Sequence, residues 1–345
     1  MLTLECFKAG KGDSFLLTWG LKQEHNLLVD AGSEGTYRFI RTRLEAESKL
    51  DAIVITHVDY DHIGGFFKLL ADTEYELGCD LKVYMNSPSL LLAPSDSDLV
   101  AIDHGVEFEQ ILHRKGILPI SLYLGKTKDN MEVLNGLVLQ ILSPSQILIN
   151  ELLRKWSASA AYQQYQAENQ LHSSKVSGEK TTLRPAADIL ANPPKAHAWE
   201  EDLLNSSSIS FIVHHKGNQI LFLADANPTL IVQEFDRLGF TRDNQLAVDL
   251  VKISHHGSKH NTTRELLERI NCCRYLISTD GTGPYYHPSR ETLILISEYG
   301  RPNKDIPLTI YTNYNLNLDD LLGREEQLGL KLNFQELGQL NFLDK

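Results

Sequence analysis

The chain reads as a layered α/β protein, on three observations. Short apolar, β-branched runs recur along it, among them Asp51–Thr56 and Ala247–Ile253. Segments with helical spacing alternate with these runs, as at Tyr37–Leu50 and Arg290–Tyr299. Glycine turns at Gly10-Lys11-Gly12 and Lys216-Gly217-Asn218 close two hairpins. Strands that alternate with helices pack as sheets with helices outside, and hairpins add antiparallel pairs.

Composition sets the limits. The 345 residues suit one large domain or two modest ones, and 42% hydrophobic with 23% charged residues suits a soluble globular protein. No apolar run approaches membrane-spanning length, and Met1-Leu-Thr-Leu-Glu-Cys6 has no basic region before an apolar core, so no membrane and no export signal are expected. Cys6, Cys79 and the adjacent Cys272-Cys273 do not form a disulfide framework, and a reducing cytoplasm fits. The formal net charge of −12 argues against a protein that coats duplex nucleic acid through Lys and Arg. It does not exclude a nucleic-acid substrate, because bound divalent cations reverse the local field.

In chain order, Leu2–Phe7 and Ser14–Trp19 are expected as a hairpin, and Asn26–Val29 as a third strand ending at Asp30-Ala31-Gly32. Tyr37–Leu50 has helical spacing. Asp51–Thr56 is a buried strand, and Gly64-Gly65 is expected to turn the chain before a helix from Phe66. Leu81–Asn86 is a strand, Asp96–Lys115 a helix, and Ser121–Leu124 and Leu137–Leu142 are strands. Residues 145–202 read as an insertion or lid in one domain spanning 1–345: a helix over Gln146–Trp156, then a Gln-, Ser- and Ala-rich stretch, then prolines. Asn205–Val213 and Gln219–Ala224 form the second hairpin, with His214-His215 expected on the surface. A helix over Thr229–Leu238, a strand over Ala247–Ile253, a helix over Thr263–Ile270 and a strand over Arg274–Ser278 follow. Leu308–Tyr311 and Lys331–Phe334 are expected as edge strands.

Chemistry concentrates after Thr56. His57, Asp59, Asp61 and His62 place four ligand-type side chains within six residues, directly after a buried strand. A single Asp-His pair would read as a solvated turn or helix cap. Imidazole and carboxylate at this density read as ligands of zinc or a similar ion. They cannot share one strand face, so they divide between two adjacent ions, His57 with Asp59 and Asp61 with His62.

In the second half, three strand ends carry the same chemistry: Asp225, His255-His256 and His287. Asp225 is the candidate carboxylate to bridge two ions. Adjacent histidines at a strand end point in opposite directions, so one can bind metal and the other move a proton or hydrogen-bond substrate. His255 is taken as the ligand and His256 as the catalytic donor; parity alone does not decide between them. Lys259 is placed at the substrate.

The run His57-Val-Asp59-Tyr-Asp61-His62 resembles the His-x-His-x-Asp-His signature of the metallo-β-lactamase superfamily, with Asp59 in place of the second His. With Ile63-Gly64-Gly65 behind it, it is similar to the branch containing the hydrolase domain of bacterial competence DNA-uptake channels and to choline-phosphate esterases of teichoic acid. The resemblance extends in patches over residues 1–145 and 203–296, including Gly10-Lys-Gly-Asp13 and Asp30-Ala-Gly32. It implies an αββα sandwich of two mixed sheets flanked by helices. It implies Asp225 as the bridge, His287 in the second ion's shell, Asn205 at the substrate, and Asp13 and Asp30 as supports of the metal loop. It also implies hydrolysis with a hydroxide activated by two divalent ions, with Asp61 and His256 in catalysis. Zinc suits the histidine content, and the extra carboxylate leaves manganese open. The expected substrate is a phosphodiester, in nucleic acid or in a small phosphoester. A carboxylic ester, lactone or thioester is the alternative on the same site, and a non-catalytic partner protein is the alternative from another class.

Overall fold

Apolar residues on both faces of most strands force helices onto the outer side of each sheet. Two sheets result in the computed structural model, which describes residues 1–345 except 22, 45–48, 76, 79, 87–102, 158–182, 283–285, 317 and 320. The first sheet uses β1 (Leu2–Cys6), β2 (Phe15–Trp19), β3 (His25–Val29), β4 (Ala52–Val54), β5 (Lys82–Tyr84) and the C-terminal β16 (Gln339–Phe342). Its order is β16-β1-β2-β3-β4-β5. The β1–β2–β3 meander and the β16 pairing are antiparallel, whereas β4 and β5 continue parallel to β3.

The second sheet contains β6 (Met131–Leu134), β7 (Leu137–Ser143), β8 (Ser210–His215), β9 (Asn218–Phe222), β11 (Leu250–Lys252), β13 (Arg274–Ile277), β14 (Leu308–Thr312) and β15 (Leu332–Glu336). Its order is β15-β14-β13-β11-β9-β8-β7-β6. From β6 to β9 neighbours are antiparallel; from β9 to β15 they are parallel. Both sheets are therefore mixed. The short strands β10 (Leu246–Ala247) and β12 (Ile270–Asn271) pair beside them.

Side-chain alternation builds three cores. Leu4, Phe15, Leu17, Val29 and Val54 of the first sheet meet Leu139, Phe211, Val213, Phe222 and Leu250 of the second between the sheets. The opposite parity, Leu16, Leu28, Ile53 and Val83, packs on Ile40, Phe66, Leu69 and Phe108 of the first helical layer. Ile212, Leu221, Val251 and Tyr275 pack on Ile231, Phe235, Leu293 and Ile296 of the second. Each fully buried Leu, Ile or Phe contributes about 1.5–3 kcal/mol. This is the expected αββα sandwich. Among the described residues, no helix is long and apolar enough to cross a membrane.

Several expectations need correction. The helix after the metal loop starts at Tyr60, not Phe66, and runs to Ala71 through both glycines. Gly64 and Gly65 do not turn the chain; a Cβ at Gly65 would lie 2.2 Å from the Ala31 carbonyl oxygen, and one at Gly64 would lie 2.9 Å from Glu34 N. They let this helix lie against the loop after β3. Ser121–Leu124 is not a strand, because the Asn86 side chain takes its backbone partners: Asn86 Nδ2 donates to Leu122 O and Leu122 N donates to Asn86 Oδ1. His215 is buried rather than on the surface. The strand at Leu308–Thr312 is internal, between β13 and β15. Of the insertion, the helix Gln146–Ser157 is present as expected, 158–182 lies outside the described residues, and a short helix covers Ala186–Ala191. Residues 96–102 of the expected helix at Asp96–Lys115 also lie outside; its described part is Asp103–Arg114.

Candidate metal centre

The site forms where the carboxyl ends of parallel strands from both sheets meet. In the first sheet, β3 ends at Asp30 and β4 leads to His57. In the second, β9 leads to Asp225, β11 to His255-His256 and β13 to Ser278. The loops are stitched together. His255 N donates to Ala224 O at 2.9 Å, Ser254 Oγ donates to Ala226 O at 2.9 Å, and Ile209 N donates to Thr56 O at 2.9 Å. Four non-glycine residues here, Asp30, Ala224, His255 and His256, lie in the left-handed region with φ between 46 and 55°. That conformation costs about 1–2 kcal/mol per residue. Such strain concentrates at functional sites that the surrounding structure over-determines.

The two histidines after β11 sit in a short 3-10 turn, His255–Gly257, rather than on the strand. The strand-alternation argument therefore does not apply to them: their ring planes lie at 80°, yet both Nε2 atoms face Asp225 Oδ2. His256 is buried; Nδ1 donates to Ser278 O at 2.9 Å, which leaves Nε2 as the free nitrogen. That Nε2 lies 3.5 Å from Asp225 Oδ2 and 3.7 Å from Asp61 Oδ2. His255 has a side chain 29% exposed, with Nε2 3.9 Å from Asp225 Oδ2 and its ring 5.9 Å from that of His287.

On the first-sheet side, His62 is buried in the first turn of the helix that starts at Tyr60. Its Nδ1 donates to Asp30 Oδ2 at 2.8 Å and its Nε2 lies 3.6 Å from Asp225 Oδ2. Asp30 also accepts from Thr56 N at 2.8 Å and Thr56 Oγ1 at 2.7 Å, so it orients the loop, as expected from the sequence. His57 points its Nε2 toward Asp59 Oδ2, 3.7 Å away, while its Nδ1 lies near Thr56 Oγ1 and Ser208 Oγ. Asp59 precedes the helix and Asp61 is in its first turn; both side chains are about 40% exposed toward the site.

Three imidazole nitrogens at this site, Nε2 of His57, His62 and His256, are buried without a hydrogen-bond partner among the described residues, as is Oδ1 of Asp225. A buried polar atom left unpaired costs about 1–3 kcal/mol. His57, His62 and Asp225 have ligand atoms close enough to share an ion, and so do Asp61, His62 and His256. His62 has one free nitrogen and can serve only one of them. Asp13, Asp30 and His62 also cluster, but Asp13 Oδ2 pairs with Lys252, and Asp30 Oδ2 holds Thr56 and His62 Nδ1, which leaves Asp13 Oδ1 as the oxygen of this cluster unpaired among the described residues. The nitrogen and oxygen donor set, with unpaired atoms converging on Asp225, fits divalent ions of the zinc or manganese kind.

The electrostatics of the protein alone agree with this fit. Burial opposes charge on His62 and His256, yet Asp225 with Asp30, and Asp225 with Asp13, hold both imidazoles above the ordinary histidine range. Burial would raise the Asp225 carboxyl, but His256, His62 and His255 hold it well below the carboxylate range. The carboxylates thus draw positive charge into a buried place. His287 differs: burial and the neighbouring His255 and His256 push it down to about 3, so it is a neutral imidazole.

Lys252 went unnoticed in the sequence. It is fully buried between Val251 and Ile253, paired with Asp13, with Nζ 3.9 Å from Asp225 Oδ1 and donating to Ala224 O at 3.3 Å. A lysine inside an otherwise apolar strand was the available signal, because Lys is almost never buried without a partner. Gly12 was underrated too. A Cβ there would lie 1.6 Å from the Asp61 carbonyl oxygen, so the first hairpin turn packs directly on the metal loop.

Beside the cluster lies a cavity of about 670 Å³, lined among others by Asp225, His255, Lys259, His287 and Asn205. Asn205 sits in a one-turn helix, Leu203–Ser206, and its Nδ2 donates to Asp202 Oδ2 at 2.8 Å.

Residues 8–121 match the family model described as "Metallo-beta-lactamase superfamily". No curated protein matches the chain. Among solved structures, the chain is similar to the metallo-beta-lactamase fold protein YhfI from Bacillus subtilis, at 13% identity and TM-score 0.45, over 99% of this chain and 100% of that one. It is similar to a diphosphatase from the PhnP family at 11% identity and TM-score 0.45, over 99% and 98% of the two chains. It is also similar to Zn(2+)-bound PqqB from Methylobacterium extorquens, at 9% identity and TM-score 0.44, over 99% and 100%. The family resemblance found in these comparisons is thus confined to residues 8–121, the part that holds His57, Asp59, Asp61 and His62.

Proposed function

We propose that the chain is a metal-dependent hydrolase that cleaves phosphodiesters, with two divalent ions held around Asp225. The observation that carries this reading is the meeting of the buried Nε2 atoms of His62 and His256 on the Asp225 carboxylate, with His57 close enough to share an ion with His62 and Asp225. His57 and Asp59 would hold one ion and Asp61, His62 and His256 the other, with Asp225 available to both. When bound, such ions supply Lewis-acid activation of water and of the phosphoryl oxygens.

The chain's own groups do the rest. Asp30 and Ser278 each occupy one ring nitrogen of His62 and His256, which fixes the tautomers with Nε2 free. His256 is therefore assigned to metal and His255 to substrate, the reverse of the order first expected from the sequence. His255 and Lys259 stand on the cavity beside Asp225. There His255 can deliver a proton to the leaving oxygen, and Lys259 can offset charge on a non-bridging oxygen. His287, a neutral imidazole beside His255, is placed to accept a hydrogen bond or to join a shell. Residues 183–206, where the insertion ends and Asn205 follows, line that cavity through Arg184, His197 and Asn205 and belong to the substrate site in this reading. Zinc is the first candidate metal and manganese the second, in a reducing cytoplasm that suits the free thiols of Cys6, Cys272 and Cys273.

The test loads purified protein with zinc or with manganese and assays a bis-aryl phosphodiester, a phosphomonoester, a lactone and a carboxylic ester. Preferential turnover of the phosphodiester is expected. Opening of the lactone or ester by protein that ignores the phosphodiester moves the site to the acyl-transfer alternative.

A further inference from the structure

Part of the lining of the cavity beside Asp225 comes from residues 183–206, outside the strands of the two sheets. That segment is fastened down. Arg290 Nε donates to Arg184 O at 2.8 Å, Asn227 Nδ2 donates to His197 O at 3.0 Å, and His260 Nδ1 donates to Lys195 O at 2.9 Å. The rings of His197 and His260 lie 3.9 Å apart, centroid to centroid.

Little positive charge in this cavity is free for a ligand. Arg184 spends its guanidinium on Asp188 O and Asn192 O, and Arg290 is paired with Glu326. Of the lysines and arginines on the wall, Lys259 alone has no ion pair or hydrogen bond among the described residues. Asp202 and Glu291 line the same space and repel further anions. A polynucleotide brings a row of phosphates, and proteins that hold one do so with a basic groove and stacking platforms along it. One free lysine beside two ions matches one phosphodiester.

A ring is offered as well. Tyr286 lines the cavity with its side chain 65% exposed and its backbone at φ 46°, a conformation that a bulky non-glycine residue holds only under constraint. An exposed aromatic beside a phosphoryl site is suited to stack on a flat substituent.

We infer that the site takes a small phosphodiester carrying one ring-bearing substituent, aryl or nucleoside, and not a polynucleotide. This rests on the phosphodiester reading above. The test gives zinc- or manganese-loaded protein a nucleoside 5′-methyl phosphate and single- and double-stranded oligodeoxynucleotides at equal phosphodiester concentration, with a lactone assayed beside them. Turnover of the nucleoside ester with intact oligonucleotides is expected, together with a KM about tenfold higher for that ester in Tyr286→Ala. Oligonucleotide cleavage at a comparable rate overturns the inference and leaves the phosphodiester reading standing, and an unchanged KM in Tyr286→Ala removes the ring subsite. Hydrolysis of the lactone alone overturns both.

Discussion

Lys252 Nζ lies 3.9 Å from Asp225 Oδ1, with both side chains buried beneath the candidate metal centre. Burial alone would depress the lysine, but Asp13 and Asp225 outweigh it and hold the ammonium above its ordinary range. The cation also donates to the carbonyl of Ala224, the left-handed residue that aims Asp225. Removing one partner of a buried pair leaves the other charge uncompensated, at a cost of about 3–5 kcal/mol. Lys252→Met is therefore expected to destabilise metal-free protein by about that much in urea denaturation. Replacing both partners, Asp13→Asn with Lys252→Met, is expected to recover most of the loss. A double variant as unstable as the single one would show that the pair is not the source.

Gly12 makes a purely steric prediction. Its backbone lies against Asp61, where a Cβ would stand 1.6 Å from the carbonyl oxygen. Gly12→Ala must push the first helical turn, with Asp61 and His62, away from Asp225. The expected cost is about 1–3 kcal/mol, as for other overpacked sites, with lower ion occupancy. At Gly35 an added Cβ meets nothing within 4 Å, so Gly35→Ala should stay within about 0.5 kcal/mol of wild type. Calorimetry with metal analysis of both variants checks the contrast.

The paired histidines separate by their surroundings. His256 is buried, with Nδ1 bonded to Ser278 O and Nε2 aimed at Asp61 and Asp225, whereas His255 opens to the cavity. His256→Ala should lose about one ion per chain by elemental analysis, in line with a two-ion site. His255→Ala should keep its ions and lose about 10²–10⁴-fold in turnover, the usual scale of a general acid. An ion lost from His255→Ala but kept by His256→Ala would restore the opposite assignment.

Chelation should weaken the fold. The Nε2 atoms of His57, His62 and His256 have no hydrogen-bond partner among the described residues, and a bound ion would supply one. An ion that binds the native state alone, at about 100 times its Kd, adds about 2.7 kcal/mol. Dialysis against a chelator should lower the melting temperature, and zinc or manganese should restore it. Identical melting curves for treated and loaded protein would mean that the centre holds no ion in solution.

Much of the architecture was legible because strands buried on both faces carry a strong apolar signal. Phe15–Trp19, Leu137–Ser143 and Arg290–Tyr299 were readable nearly to the residue. Ser121–Leu124 misled because its backbone partners come from the Asn86 side chain, a tertiary fact that no local pattern encodes. Strand β16 was missed because its partner, β1, lies at the other end of the chain. In the site, the run from His57 to His62 announced itself by density. The roles of His255 and His256 did not, since both leave the strand for a left-handed turn where alternation no longer governs direction. Gly64 and Gly65 looked like a turn because glycine permits turns; here they permit close approach of a helix to the loop after β3.

Whether Asp225 joins two ions is read out by elemental analysis of purified protein beside Asp225→Ala. Asp225 lies within 3.5–3.9 Å of imidazole nitrogens from His256, His62 and His255, so its loss should be felt across the whole centre. Wild-type chains should carry about two zinc or manganese ions each, and a still-folded Asp225→Ala should lose both. Wild-type protein that takes up no ion, or Asp225→Ala protein that keeps both, would contradict a two-ion centre joined by Asp225.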